Sequence, residues 1–429
     1  MSFRPVITGV GPVTSTGVGS EAAWEGLCQQ RCNLAVVSQS IGDDHWEDYP
    51  MAEVPSFDPE RLGVSEKEIS ALTGEVNNRD LLLLAAAATL AIRDAGVSER
   101  HDPSRVGIVL AHENPGFDEY TRQIWSALAS DPPSPDEALV EHMKRLYARV
   151  KGAGYKTHSF VLLQQLTRIL NLHGPSLAVN NACASGLYAL EAATHWIKAG
   201  QADAMIVVAG DSPRLLTRYL WLKAVQACSP DGLIRPFDLH RNGFVLGEGA
   251  GAVVIEDLHR PPSHGARIYS EYCGGAFRCD AWKLNIPCPT PNFYAEAIKA
   301  VLNQTCTDPA DIDLVVPHGA GSPLHDRYEA LALTEVFGWQ AASPLITALK
   351  PYVGHTLAGS SIVELILVLI SLSHKTVPAT LNWKTPDPRL GIRPIASPQV
   401  VDVKNWMKTS TGFGGFHAAC IFSQPGGQA

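Results

Sequence analysis

The chain has 429 residues, of which 45% are hydrophobic, 18% charged and 7% aromatic, with 34 basic against 43 acidic side chains and a formal charge of −9. This is the composition of a globular protein that can bury a deep core. It excludes a disordered chain or a disulfide-stapled one, and with no Lys/Arg cluster nucleic acid is a poor partner. Nine cysteines spread from Cys28 to Cys420 without a CxxC point to a reducing, cytoplasmic compartment and away from structural zinc.

The opening MSFRPVITGVG runs directly into a strand and turn, with no signal-like apolar segment. Further strands are predicted at 105–111, 175–180, 204–210, 251–257, 313–319 and 344–349, nearly continuous in hydrophobicity and so expected in sheets buried on both faces. Between them lie predicted helices at 79–95, 184–199, 292–303, 326–337 and 359–373. The first is apolar on nearly all sides, which places it between layers. The run Ile362 to Leu372 is too short to cross a bilayer and contains Glu364, so it reads as a buried helix and no membrane span is expected. Residues 114–160, rich in proline and polar side chains, read as an excursion that caps a site or joins a subunit contact.

Two stretches share one plan. A strand leads into Asn180-Asn181-Ala182-Cys183 and a small-residue helix; a second leads to Lys350, Gly354-His355 and another such helix. The chain therefore reads as α/β with two similar halves, 1–260 and 261–429, each presenting chemistry where a helix begins.

Cys183 stands at a strand-to-helix junction, where free amides and the positive end of the helix dipole lower a thiol pKa; inert packing is the competing reading for any cysteine. His318 in PHGAGSP follows a hydrophobic strand, and His355 in YVGHTLAG follows the loop after another, so with Cys183 they repeat a strand-end pattern. A thiolate nucleophile beside two imidazoles that donate to an oxyanion or enolate accounts for all three. Zinc on the same trio is the weaker alternative. Glu364, inside an apolar helix, needs a cation or donors, with Lys350 or a backbone amide as candidate partner. Glu329, on the helix after His318, is either a support or solvent-facing. STGFGGF at 410–416 lacks a phosphate-cradle spacing and reads as a tight turn beside the reactive centre; GFVLGEGAG at 243–251 reads as a loop into the next strand.

In order along the chain, NACASG, RPFDLHRNGFVLGEGAGAVVIE, HGAGSPLHDRYE and KPYVGHTLAGS resemble the condensing enzymes of the thiolase-like superfamily, specifically β-ketoacyl-acyl carrier protein synthase II and the polyketide ketosynthases. The resemblance implies a layered α-β-α-β-α fold and a homodimer, or a heterodimer with a related ketosynthase or chain-length-factor-like subunit. It implies no bound cofactor: substrates would arrive on the phosphopantetheine arm of an acyl carrier protein. Cys183 would take the acyl group, and His318 and His355 would support decarboxylation of malonyl-carrier protein. The Cys183 and Phe413 amides would form an oxyanion hole with the Phe413 ring as a gate, Lys350, Glu364 and Glu329 would be supports, and Ser322, Ala320 and Phe416 would border the pantetheine and acyl groups.

The chain departs from the family pattern at Ala320 and Ser322, where threonines are usual, at His325 for asparagine, at Phe416-His417 for Thr-Asn, at Asn181 for threonine, and at Asp211-Ser212-Pro213. These departures favour specialised polyketide or polyene synthesis over housekeeping fatty-acid elongation. An acyltransferase or hydrolase that keeps the acyl-Cys step, and a non-catalytic partner subunit, are the alternatives.

Overall fold

The computed structural model describes residues 3–41, 44–73, 78–113, 117–214, 216–259, 267–290, 292–338 and 344–425. The main sheet is built from β1 (Pro5–Thr14), β2 (Val106–Ala111), β3 (Ser176–Val179), β4 (Ala204–Asp211), β5 (Gly249–Asp257), β6 (Ser270–Cys279), β7 (Leu314–Val316), β8 (Leu345–Ile346), β9 (Asn405–Gly412) and β10 (Phe416–Ser423). A short Gly17–Val18 strand pairs with β1 off this path. The order across the sheet is β8-β7-β9-β10-β6-β1-β5-β4-β2-β3.

That order contains a repeat. β2 pairs in parallel with β3 and β4, and β5 lies antiparallel between β4 and β1. In the same way β7 pairs in parallel with β8 and β9, and β10 lies antiparallel between β9 and β6. Each strand of the second set thus stands five places on from its counterpart in the first. The sets meet where Val6 and Ile7 of β1 face Glu271 and Ser270 of β6.

The helices are α1 (Arg79–Ala95), α2 (Phe117–Ser130), α3 (Leu139–Tyr155), α4 (Ser159–Ile169), α5 (Ser185–Lys198), α6 (Phe293–Gln304), α7 (Pro323–Phe337) and α8 (Ser360–Ser373). α5 and α8 form the middle layer, packing together with residues from both strand sets in one core. Every residue of α8 from Ser360 to Leu372 is buried. Each fully buried Leu, Ile or Val there contributes about 1.5–3 kcal/mol, so this helix anchors the molecule despite its polar start. α1 and α4 cover the first set, and α6 and α7 the second. The result is the layered α-β-α-β-α arrangement.

The expectation for α1 is corrected here. It packs on the outer face of the first strand set, beside α4, while the helices held between the two strand sets are α5 and α8. Its all-round apolarity comes from being covered on both sides by the sheet and by neighbouring helices. The 114–160 excursion contains α2 and α3, packed on each other; 114–116 lie outside the described residues. Its α3 exposes Leu139, Val140, Met143 and Tyr147. β6 and β9 carry no clear sequence signal because Gly274-Gly275 interrupt one and the consecutive polar residues Lys408, Thr409 and Ser410 disguise the other. Among the described residues no helix is long and apolar enough to cross a membrane.

Candidate active site

Cys183 sits between the end of β3 and the start of α5. The preceding Ala182 has φ of +49°, and the Ser185 hydroxyl accepts from Asn181 N at 2.7 Å and donates to Ala182 O at 2.6 Å. This sharp, braced corner holds Cys183 on the cavity wall. Ser410 Oγ donates to Cys183 O at 3.1 Å, tying β9 to the same corner. The next turn runs close by: a Cβ added at Gly412 would lie 3.1 Å from Cys183 N.

His318 follows β7, and α7 holds its loop through two carboxylates. Glu329 accepts from His318 N at 2.6 Å, from Gly319 N at 2.8 Å and from the Tyr294 hydroxyl. Asp326 accepts from Gly321 N at 3.0 Å and Phe237 N at 2.8 Å. Burial raises both carboxyl groups, Asp326 to about 7, because few charges offset the loss of solvent.

Lys350 is fully buried and donates to His318 O at 2.6 Å and to Glu364 Oε1 at 2.6 Å, and it stands 3.4 Å from His318 Nδ1. An ammonium only donates, so Nδ1 of His318 is the acceptor and the ring proton belongs on Nε2. His355 reaches the same state by another route. Leu357 N–H donates to its Nδ1 at 3.2 Å, and Ser360 Oγ lies 2.9 Å away. Its backbone is held by GFVLGEGAG: His355 N donates to Val245 O at 2.7 Å and Gly247 N donates to His355 O at 3.0 Å. The motif read as a loop therefore forms a short ladder behind the histidine, and β5 begins at Gly249.

The two imidazoles lie 5.4 Å apart between centroids at an angle of 72°. Burial, followed by the positive charge of Lys350, pushes both well below the ordinary histidine value, so both rings are neutral at pH 7.

Cys183, His318, His355, Ala320, Ser322 and Phe413 line one cavity of about 590 Å³. Its walls are largely apolar, including Trp221, Phe244 and Leu357. Lys350, Glu364 and Glu329 stand behind the histidines and are absent from the lining. Phe416 is also absent: at the start of β10 its ring turns to Tyr188, 6.3 Å away, instead of bordering the cavity. The Cys183 expectation is likewise modified. Burial and the nearby Glu113 carboxylate push the thiol up, outweighing Lys350, so desolvation defeats the helix start.

Two residues of the site, Lys408 and His112, were not among the sequence-predicted ones. Lys408, from β9, donates to the second Glu364 oxygen at 2.8 Å. No local signal marked it, because β9 is not legible as a strand in the sequence. His112 lies buried 3.5 Å from Asp80 and 3.6 Å from Asp211, whose carboxyl is pushed up to about 7 chiefly by burial. Asp211 in turn accepts from Ala358 N at 3.0 Å, fixing the turn ahead of α8.

The family model for the beta-ketoacyl synthase N-terminal domain matches residues 4–260, and the model for its C-terminal domain matches residues 269–384. The chain belongs to the beta-ketoacyl synthase family. A protein of Streptomyces halstedii named as polyketide beta-ketoacyl synthase 1 is 30% identical over 434 residues, covering 99% of each chain. The tetracenomycin polyketide synthase ketoacyl synthase alpha subunit of Streptomyces glaucescens is 29% identical over 446 residues, covering 98% of this chain and 97% of that one. Among solved structures, the ishigamide ketosynthase/chain length factor superposes with a TM-score of 0.84 at 26% identity, covering 99% of this chain and 100% of that one. A type II polyketide acyl-carrier protein complex with its ketosynthase shares the fold, with a TM-score of 0.77 at 23% identity over 99% of this chain and 100% of that one. This ketosynthase family member therefore has the thiolase-like fold that its four motifs implied.

Proposed function

We propose that this chain catalyses decarboxylative Claisen condensation between an acyl group held on Cys183 and malonyl-acyl carrier protein, in specialised polyketide or polyene synthesis. The observation that carries the reading is the shared state of the two histidines. Each has Nδ1 facing an obligate donor, Lys350 Nζ or Leu357 N–H, so each keeps its proton on Nε2 in the cavity that Cys183 also lines.

The chemistry follows from that arrangement. The Cys183 sulfur attacks the thioester carbonyl of an acyl-carrier protein, and the carrier thiol leaves with the proton that Cys183 gives up, so acyl exchange is proton-neutral. The backbone amides of Cys183 and Phe413 face the developing oxyanion. Malonyl-carrier protein then loses CO2, and the enolate oxygen is stabilised by the two neutral Nε2–H donors. The enolate carbon attacks the acyl carbonyl, the carbon-sulfur bond to Cys183 breaks, the leaving thiolate takes up one proton from solvent, and a β-ketoacyl-carrier product two carbons longer departs. An apolar cavity suits this sequence because water would quench the enolate. No cofactor enters; phosphopantetheine comes with the carrier. Ala320 and Ser322 border the arm.

The nucleophile belongs to the half 1–260 and both imidazoles to the half 261–429. A retained Cys183 weighs against a purely chain-length-setting role. A second subunit, identical or chain-length-factor-like, fits the exposed β3 edge with Leu177 at 38% and the bare apolar stripe on α3. The reducing-compartment cysteine pattern supports a cytoplasmic enzyme.

Intact-protein mass measurement after incubation with acyl-carrier proteins and then malonyl-carrier protein tests the proposal. A Cys183-dependent adduct that vanishes as a product two carbons longer forms is the expected result. Release only as acid, ester or amide would favour the acyltransferase or hydrolase reading, and no adduct across a broad panel would favour a non-catalytic subunit.

A further inference from the structure

The cavity holds a third imidazole. His325, near the start of α7, lines it together with Leu284 and Leu324, which are 64% and 46% exposed and mark the mouth. His325 Nδ1 lies 3.2 Å from the Ser322 hydroxyl, and its ring packs 5.8 Å from Phe413. Among the described residues Nε2 has no hydrogen-bond partner. His325 thus lies between Ser322 and Phe413 on the wall of the cavity that Cys183 also lines.

Resting on the acyl-Cys reading above, we infer that His325 is a positioning residue for the donor thioester, pairing through Nε2 with an amide group of the pantetheine arm as it passes Ser322. Nε2 donates to an amide carbonyl in one tautomer and accepts from an amide N–H in the other. Both partners belong to a neutral, amide-bearing arm. Burial alone pushes this imidazole down to about 4, so at pH 7 it is uncharged and unsuited to gripping a phosphate. His325 touches none of the reacting atoms, so its contribution falls on binding and not on the chemical step.

Acylation of Cys183, followed by intact mass, provides the test, with two donors carrying the same acyl group: an acyl-pantetheine and the thioester of ethanethiol, which has no amide. His325→Leu, which retains bulk against Phe413, is expected to raise the half-saturating concentration of acyl-pantetheine about five- to tenfold at unchanged maximal rate. His325→Gln, which restores a donor and an acceptor, is expected to recover most of that loss. The ethanethiol thioester is expected to react alike with all three proteins. Equal losses for both donors, no loss with His325→Leu, or no recovery with His325→Gln would overturn the inference. Acylation without any condensation product would overturn the condensing reaction and leave this inference standing, whereas a wild-type chain that neither donor acylates would overturn both.

Discussion

Lys408 Nζ lies 2.8 Å from Glu364 Oε2, and both side chains are buried. Lys350 occupies the other oxygen, so one carboxylate on α8 joins the loop ahead of His355 to β9. The arrangement places two positive groups next to two neutral histidines. Glu329 is the second carboxylate in the group, bound to the backbone of His318 and Gly319.

Removing the shared partner is therefore expected to cost more than removing either lysine. Glu364→Ala leaves two buried ammonium groups with no common anion and should destabilise the protein by about 3–5 kcal/mol. Lys408→Met keeps the Lys350–Glu364 pair and should cost less. Urea unfolding of the two variants checks the order, and a larger loss for Lys408→Met would contradict it.

A second expectation concerns the thiol. Because burial and Glu113 raise its pKa above the ordinary cysteine value, the thiolate is scarce at pH 7–8 and alkylation of Cys183 by iodoacetamide should rise with pH without levelling off below pH 9. Glu113→Gln removes a negative neighbour, lowers the pKa and should speed alkylation at pH 8. Site-resolved mass spectrometry over a pH series measures both effects.

The histidines should behave oppositely. Their pKa values lie well below the ordinary 6.5, so both stay neutral as pH falls from 8 to 6, and malonyl decarboxylation should be nearly flat over that range. Loss of activity with an apparent pKa near 6.5 would contradict the neutral-donor assignment. His318→Ala and His355→Ala should each lower decarboxylation by about 10²–10³-fold while leaving Cys183 acylation largely intact.

Gly415 supplies a structural test. Its φ is +76°, and a Cβ there would lie 1.8 Å from Asp280 Oδ1. Gly415→Ala should lower the melting temperature by several degrees and disturb the turn carrying Phe413. Adding Asp280→Ala relieves the clash but leaves the backbone strain and removes the carboxylate that accepts from Trp282 N and Cys288 N, so recovery should be partial. Full recovery in a thermal melt would mean that the strain is negligible.

The sequence by itself determined the alternating α/β plan, helix α1 to its boundaries and α5, α6 and α8 to within a residue, and the strand-end positions of Cys183 and His318, whereas His355 lies beyond a helical turn at Lys350–Val353. Those features are local: hydrophobic period, small residues at a helix start, and short motifs whose order survives in the chain. Tertiary structure decided the rest. That Lys350 is buried, that Lys408 shares Glu364, that α1 lies outside the α5–α8 layer and that Phe416 turns from the cavity all depend on groups far apart in the chain. The reversal of the expected Cys183 shift has the same origin. A helix start can be read from a dozen residues, but desolvation and the charge of Glu113 depend on which distant elements close over the thiol, and no local pattern records that.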